Sequence, residues 1–314
     1  MLTKLSENLL DAEVIMSIKF TDAYLKRIFS DDKLCILEYM STLGIIRSEH
    51  RCQCNTSMSV IRKTRTADKY VWMCKQCRVE CSIRVGSIFN GLKTDIETFF
   101  KFLILWCKTT LQNDIAYDLN VNKNTASKWC LLMRELIQNY LIENGEMLGG
   151  FDENNNPKIV EIDESLFFKR KYNRGRFINA QWVFGMVERG STKCALFPVE
   201  NRSAATLIPL IQAHVLPGSI IMSDSWAAYN QLDRDPSFQH FKINHSINFI
   251  NPDDARVHTQ TIENCWLHAK KQLKVQHGTK MEFMNGYLYE FIFKKKFKKK
   301  ERINHLILML RNSC

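Results

Sequence analysis

The sequence predicts a mixed α/β fold, and three observations carry that expectation: alternating strand and helix signals after Pro157, helical spacing before it, and a cysteine-rich stretch at residues 50–91. With 314 residues, 45% of them hydrophobic and 25% charged, the chain has enough apolar side chains for one large core or two smaller ones.

The elements follow in order. Ser30 precedes DDKLCILEYMSTLGII, an N-cap, two acids in a first turn and an apolar helical face, so residues 1–49 are expected to form a helical N-terminal segment. Residues 50–91 combine short polar pieces, paired cysteines and the aromatic, β-branched strand signal YVWMC. Helical spacing returns over residues 92–144, and NGEMLGGFDENNNP then supplies Gly, Asn and Pro without apolar periodicity, which marks a linker at 145–157. Beyond it, KIVEIDESLFF, AQWVFGMVERG and TKCALFPVE read as three antiparallel strands. SAATLIPLIQAHV reads as a helix capped by Ser203, GSIIMSD as a strand buried on both faces, and SWAAYNQL as a helix start. INHSINF reads as a short strand and HTQTIENCW as the opening of a last helix. The order β-β-β-α-β-α-β-α over residues 158–293 gives a mixed sheet with helices packed on it, and residues 294–314 remain as a basic C-terminal tail.

A formal charge of +11 and a pI near 9.1 favour a polyanionic partner, because Lys and Arg that neutralise phosphates release counterions. Over half of that excess sits in residues 276–314, where nine Lys/Arg face three Asp/Glu. Within it KKKFKKK, Lys294 to Lys300, reads as nuclear import, phosphate contact or a solvated tail. No apolar run suggests a membrane span, and MLTKLSENLL lacks the basic start and long apolar stretch of a signal peptide, so an intracellular chain without a membrane partner is expected.

In an intracellular chain clustered cysteines point to metal and scattered ones to core. Of eleven cysteines one cluster stands out: Cys52 and Cys54, then Cys74 and Cys77. Two close pairs of thiolates, each from one tight turn, suit a structural, tetrahedral Zn²⁺. The first pair has a gap of only one residue, so His50 or Cys81 is an alternative to Cys52, and unrelated buried cysteines are the plainer reading.

NDIAYDLNVNKNTASKWCLLMREL carries a short helix through Ile115, Ala116 and Leu119, a turn at Asn120 to Asn122, and a second helix with Trp129, Leu132 and Leu136 on its apolar face. In a helix-turn-helix this exposes Lys123, Asn124, Thr125, Ser127 and Lys128 at the front of the helix that enters a major groove; an ordinary helical hairpin is the alternative.

Three acids occupy telling places. Asp163 lies among Ile159, Val160 and Ile162 on the first strand, Asp224 ends the buried SIIMSD strand, where α/β sheets place their ligands, and Glu263 sits near the start of the last helix. If the two strands are neighbours the acids converge, and like charges at contact distance need a cation. Mg²⁺ or Mn²⁺ suits carboxylate oxygens, and two such ions about 3.5–4 Å apart can activate an attacking hydroxyl and stabilise a leaving oxygen in phosphoryl transfer. Taken singly, Asp224 is also a fitting helix cap, Glu263 a first-turn acid favoured by the helix dipole, Asp163 an edge-strand residue and His258 a loop histidine. Arg170, Lys171, Arg174 and Arg176, after the first strand, either line a DNA path or form an inert loop cluster. Trp226 and Tyr229 read as core, with stacking on an unpaired base as the alternative.

VEIDES, GSIIMSDSWAAY, INHSINFINPDDARVHTQTIENCWLHAKK and YLYEFIFKKKF, with WMCKQC and SIRVGSIF upstream, resemble the Merlin-type DDE transposases, relatives of bacterial insertion-sequence transposases. The resemblance implies a ribonuclease H-like catalytic domain at residues 158–293 with Asp163, Asp224 and Glu263 as its triad, and a zinc-ribbon-like module at 50–91. It also implies binding of double-stranded DNA at the element's inverted repeats and at a target site, a homo-oligomer on that DNA and a nuclear location.

Overall fold

The computed structural model describes residues 2–29, 32–167, 181–243, 258–275 and 281–312, and the chain divides into two compact units, Met1–Cys130 with Phe297–Cys314, and Leu131–Lys296.

The first unit begins with three short helices, α1 (Ala12–Ser17), α2 (Asp22–Ile28) and α3 (Lys33–Thr42). Asp32 caps α3 by accepting from the Leu34 amide at 2.9 Å, so this acid stands before the helix rather than in its first turn; Ser30 lies outside the described residues. A three-stranded antiparallel sheet follows, β1 (Met58–Arg62), β2 (Tyr70–Cys74) and β3 (Glu80–Ser82). Buried Asp68 ties this sheet to α4 (Ile96–Cys107), accepting from Arg84 Nε at 2.5 Å and from the Ile96 amide at 2.8 Å. Then come α5 (Gln112–Asp118) and the start of α6 (Lys123–Glu143), joined by Asn120, which takes a left-handed φ of 50°. Trp129 of α6 meets Phe99 and Phe102 of α4 with ring centroids 5.1 Å apart in each pair. The buried stripe of α6 runs through Ala126, Trp129, Met133 and Ile137, while Leu132 and Leu136, expected on that face, flank it half-buried.

The segment expected as a basic C-terminal tail, residues 294–314, carries a buried helix. Arg302–Arg311 is a helix whose Ile303, Leu306, Ile307 and Leu310 are buried, and the buried Asn304 donates to the carbonyls of Ile15 and Ile18 at 2.6 and 2.9 Å. A segment rich in Lys just upstream hides an amphipathic helix that completes the core of α1.

In the second unit the expected linker 145–157 is built into the structure. Leu148–Gly149 forms β4, parallel to β8 (Val215–Leu216), and the amides of Gly149 and Gly150 are bonded by Glu188 Oε2 at 2.9 Å and Ser219 Oγ at 2.8 Å. Between these lie β5 (Ile159–Phe167), β6 (Gln181–Glu188), β7 (Cys194–Val199) and α7 (Ala204–His214); β9 (Ile220–Asp224), a 3₁₀ helix at Ala227–Arg234, β10 (Gln239–Ile243), α8 (Gln260–Val275) and α9 (Met284–Lys296) follow. The main sheet has the order β10-β9-β5-β6-β7, with β5, β6 and β7 antiparallel and β9 and β10 parallel to β5.

One expectation shifts here and one falls outside the described residues. The SWAAYNQL helix is 3₁₀ rather than α; a strand not read from sequence forms at QHFKI, and of INHSINF residues 244–249 lie outside the described residues. QHFKI is too polar to read as a strand from sequence because it is an edge: His240 and Lys242 find partners in Ser223, Asp233 and Asn230. Ser203 stands at the cap position of α7 but makes no cap bond; its hydroxyl pairs with Thr206 Oγ1 at 3.1 Å instead of with a helix amide.

Period-two alternation splits β5 between two cores. Val160 and Ile162 join Phe184, Ile208, Ile211 and Tyr229 under α7 and the 3₁₀ helix; Phe167 joins Val183, Trp266, Leu273 and Leu288 under α8 and α9. Buried Glu290 of α9 pairs with Arg134 Nε at 2.6 Å and with Lys294 of KKKFKKK, so this lysine serves the fold; Lys296 likewise pairs with Glu146. Among the described residues no helix is long and apolar enough to cross a membrane.

Candidate active site and metal centre

The strand register points toward the first two acids. β5 and β9 pair Ile159 with Ile220, Val160 with Ile221 and Glu161 with Met222, where the pairing ends; the same offset carried two residues further matches Asp163 with Asp224. α8 packs over the face of β5 that carries Glu161, Asp163, Ser165 and Phe167, and Glu263 stands in its first turn, exposed. Asp163 Oδ2 accepts from the Trp266 indole N–H at 2.9 Å. That indole lies over Gly185, the residue of β6 paired with Asp163, where an added Cβ would come within 2.4 Å of the ring. Burial drives the Asp163 carboxyl up to about 6, against the bonds from Trp266 and the Glu164 backbone; repulsion from Asp224 and Glu263 pushes the same way as burial.

Asp224 Oδ1 accepts from the Trp226 amide at 3.0 Å, a local turn bond just ahead of the 3₁₀ helix, whose N-cap is Trp226 rather than Asp224. Tyr229 is core: its hydroxyl donates to Glu164 at 2.5 Å on the opposite face of β5. Burial raises Glu164 to about 7, opposed by that bond and reinforced by Asp163 and Asp224.

Sequence reasoning missed the group that holds α8 in place. Glu161 is fully buried, and its two oxygens meet four donors: Oε1 accepts from Arg189 Nε and Thr261 Oγ1, each at 2.8 Å, and Oε2 from the amides of Thr261 at 2.8 Å and Ile262 at 3.0 Å. A carboxylate has about four lone-pair sites, so the group is saturated. It satisfies two amides of the first turn of α8 and complements the positive end of the helix dipole. Arg189 also donates to the His258 carbonyl at 2.8 Å, which makes His258 part of the clamp rather than a bystander. The signal was parity: Glu161 is two residues from Asp163 and therefore on its face. Trp266 and Lys270, one and two turns beyond Glu263, were equally readable; Lys270 donates to Ser165 at 2.6 Å and lies over Phe167.

The cysteine cluster lies in the first unit. Only Cys52, Cys54, Cys74 and Cys77, among the described residues, bring three or more ligand atoms within 4.8 Å of one another; the three carboxylates stand further apart. Sulfur separations of 3.3 Å (Cys52–Cys77), 3.5 Å (Cys54–Cys74) and 3.8 Å (Cys54–Cys77) approach the ~3.8 Å edge of a tetrahedron with bonds of about 2.3 Å. The short first gap is absorbed by matching turns: Asn55 and Arg78, each following the second cysteine of its pair, take left-handed φ values of 64° and 62°. Hydrogen bonding with Thr56 holds the Cys54 thiol down to about 6, while Cys77, against a bond from the Val79 backbone, is pushed up to about 12 by the neighbouring thiols. Cys81 contacts Met58 and His50 lies against Trp72, so neither alternative ligand joins the cluster.

Of the helix-turn-helix residues, Lys123, Asn124 and Lys128 are exposed and Thr125 and Ser127 half-buried, with Asn122 capping the helix through the Asn124 amide at 2.8 Å. Arg170, Lys171, Arg174 and Arg176 lie outside the described residues.

Comparison with known proteins completes the description. The ISXO2-like transposase domain model matches residues 158–296. An "Uncharacterized transposase-like protein" of Haemophilus influenzae is 37% identical over 100 residues, 31% of this chain and 78% of that protein. "Male abnormal protein mab-31" of Caenorhabditis elegans is 26% identical over 331 aligned positions, 95% of this chain and 72% of that one. The family implies DNA binding and divalent metal use, and the sheet, α8 and α9 together make up the matched segment. On these grounds the chain belongs to the transposase family, with an ISXO2-like transposase domain at residues 158–296.

Proposed function

We propose that the protein is a Merlin-type DDE transposase, which cuts DNA at the inverted repeats of its element and joins the freed 3′-hydroxyl to target DNA. One observation carries the reading: α8, which bears Glu263, is bonded through Trp266 to Asp163 of β5, the strand beside the one that ends in Asp224, in a sheet of order β10-β9-β5-β6-β7 that suits a ribonuclease H-like domain. Three carboxylates are a donor set suited to hard divalent cations such as Mg²⁺, which also retain water and phosphate oxygens. Mg²⁺ or Mn²⁺ held by these residues would supply charge neutralisation and an acidified nucleophile. The chain's own part is to aim the carboxylates: Trp266 fixes Asp163, the Trp226 amide fixes Asp224, and Glu161 fixes the helix that bears Glu263. Both steps displace an oxygen at phosphorus in line, so one centre serves both. In a donor-plus-target plasmid assay with purified protein, joined products are expected; cleavage without joining would reduce the reading to a nuclease.

The resemblance to a relative named for male abnormality, over nearly the whole chain, favours a second reading, a domesticated DNA-binding or chromatin protein. DNA affinity without cleavage under Mg²⁺ and Mn²⁺ would select it.

Two further outcomes are expected. In metal-free protein a carboxyl raised to about 6 stabilises the fold fully at acid pH, below its unfolded value, and that contribution is lost as pH rises through 6. Wild type should therefore lose roughly 1–3 kcal/mol relative to Asp163→Asn between pH 5 and 7.5. Thermal melts of both in chelator check it; parallel profiles would refute it. The cysteine cluster should hold one Zn²⁺ per chain, and Cys74→Ser or strong chelation should remove it and make the first unit sensitive to protease, measured by metal analysis and limited proteolysis.

A further inference from the structure

We propose that Arg202, clasped between Trp182 and Trp226, is a seat for one phosphate of the DNA strand that passes the carboxylates; the inference rests on the transposase reading of that site. Arg202 Cζ lies 4.1 Å from the Trp182 ring centroid and 4.4 Å from that of Trp226. The second ring is anchored, because its indole N–H donates to the Arg202 carbonyl at 3.0 Å and its amide is bonded by Asp224 Oδ1. The first ring belongs to β6, where Trp182 pairs with Leu166 of β5 and Val199 of β7, at the end of the sheet where β5 and β9 finish.

Two indoles flank the guanidinium at cation–π distance, and its in-plane N–H groups form the fork that matches two oxygens of a phosphate. Among the described residues no carboxylate lies within ion-pair distance of it, and no described side-chain acceptor takes its hydrogens. Trp226 keeps 39% of its surface exposed, so the clasp opens to solvent rather than into the core. Glu164, which feels the Arg202 charge, lies on the face of β5 opposite Asp163, so the link to the acidic centre runs through Trp226, two residues beyond Asp224 and bonded to its carboxylate at the rim of the sheet. A strand held there would have its phosphates met by a cation where three acids would otherwise repel them. Stacking alone would not require that charge, whereas a phosphate seat does.

The test uses the full-length chain in chelator, so that binding is read without cleavage. Duplex DNA carrying the element end is supplied as a series, each duplex with one neutral methylphosphonate linkage. For wild type, neutralising one or two linkages should weaken binding about tenfold, and for Arg202→Gln those same linkages should cost nothing. The slope of log affinity against log salt should fall by about 0.9 in the variant. Circular dichroism melts must match wild type; if Arg202→Gln melts early, Arg202→Lys, which keeps the charge but not the fork, should retain the slope yet lose several-fold affinity at those linkages. Wild type that binds DNA while the variants show its full linkage profile and slope would overturn the phosphate seat alone. Wild type with no affinity for DNA would overturn the seat and the transposase reading together.

Discussion

Replacing Asp163 or Asp224 with Asn, or Glu263 with Gln, is expected to abolish metal-dependent cleavage of end-containing DNA while leaving DNA affinity nearly unchanged. Each change removes one oxygen anion and keeps the side chain's size, so the strand, turn and helix that carry it have no steric reason to move. Asn at 163 still accepts from Trp266, and Asn at 224 still accepts from the Trp226 amide. What is lost is the charge that holds a divalent cation, and a loss of about 4 kcal/mol at the transition state is on the order of 10³-fold in rate. A gel assay of nicked and joined products with Mg²⁺ or Mn²⁺, beside a filter-binding titration, separates the two effects. Wild-type cleavage by any of the three variants would remove that residue from the centre.

Glu161→Ala is expected to destabilise the second unit by about 2–4 kcal/mol and to lower cleavage more than that loss of folded protein explains. The cost has three sources: Arg189 loses its carboxylate, the amides of Thr261 and Ile262 lose their acceptor, and the first turn of α8 loses the negative charge at its dipole. Because Glu263 sits one residue beyond that turn's bonded amides, a frayed start misplaces it. Glu161→Asp, whose carboxylate is one methylene short of both partners, should recover part of the stability and little of the rate. Denaturant melts, and cleavage rates measured at saturating DNA, provide the check. Full activity in a stably folded Glu161→Ala protein would show that Glu263 needs no such clamp.

Much of the second unit's order was legible because its elements are internally consistent. Val160, Ile162, Ile221 and Met222 are apolar at strand positions, and the period of α8 changes cleanly to helical at Ile262, Cys265, Trp266 and Ala269. The cysteine spacing likewise announced its knuckles. Less was legible where polar residues are used structurally. QHFKI is a strand because its polar side chains bond neighbouring elements, Glu161 is buried because Arg189 and a helix start surround it, and Lys294 and Lys296 serve Glu290 and Glu146 rather than solvent.

By itself the sequence determined most of the strands and helices of residues 158–275, and placed Asp163 on one strand, Asp224 at the end of another and Glu263 in the first turn of a helix, because those follow from period and local chain stiffness. Only the tertiary structure decided that Leu148–Gly149 joins a sheet rather than a linker, that the last ten-residue helix completes the N-terminal core, and that Arg202 lies between two indoles. The reason is common to all three: the partners are far apart in sequence, and a buried polar group or an aromatic face acquires its meaning only from what long-range packing places against it.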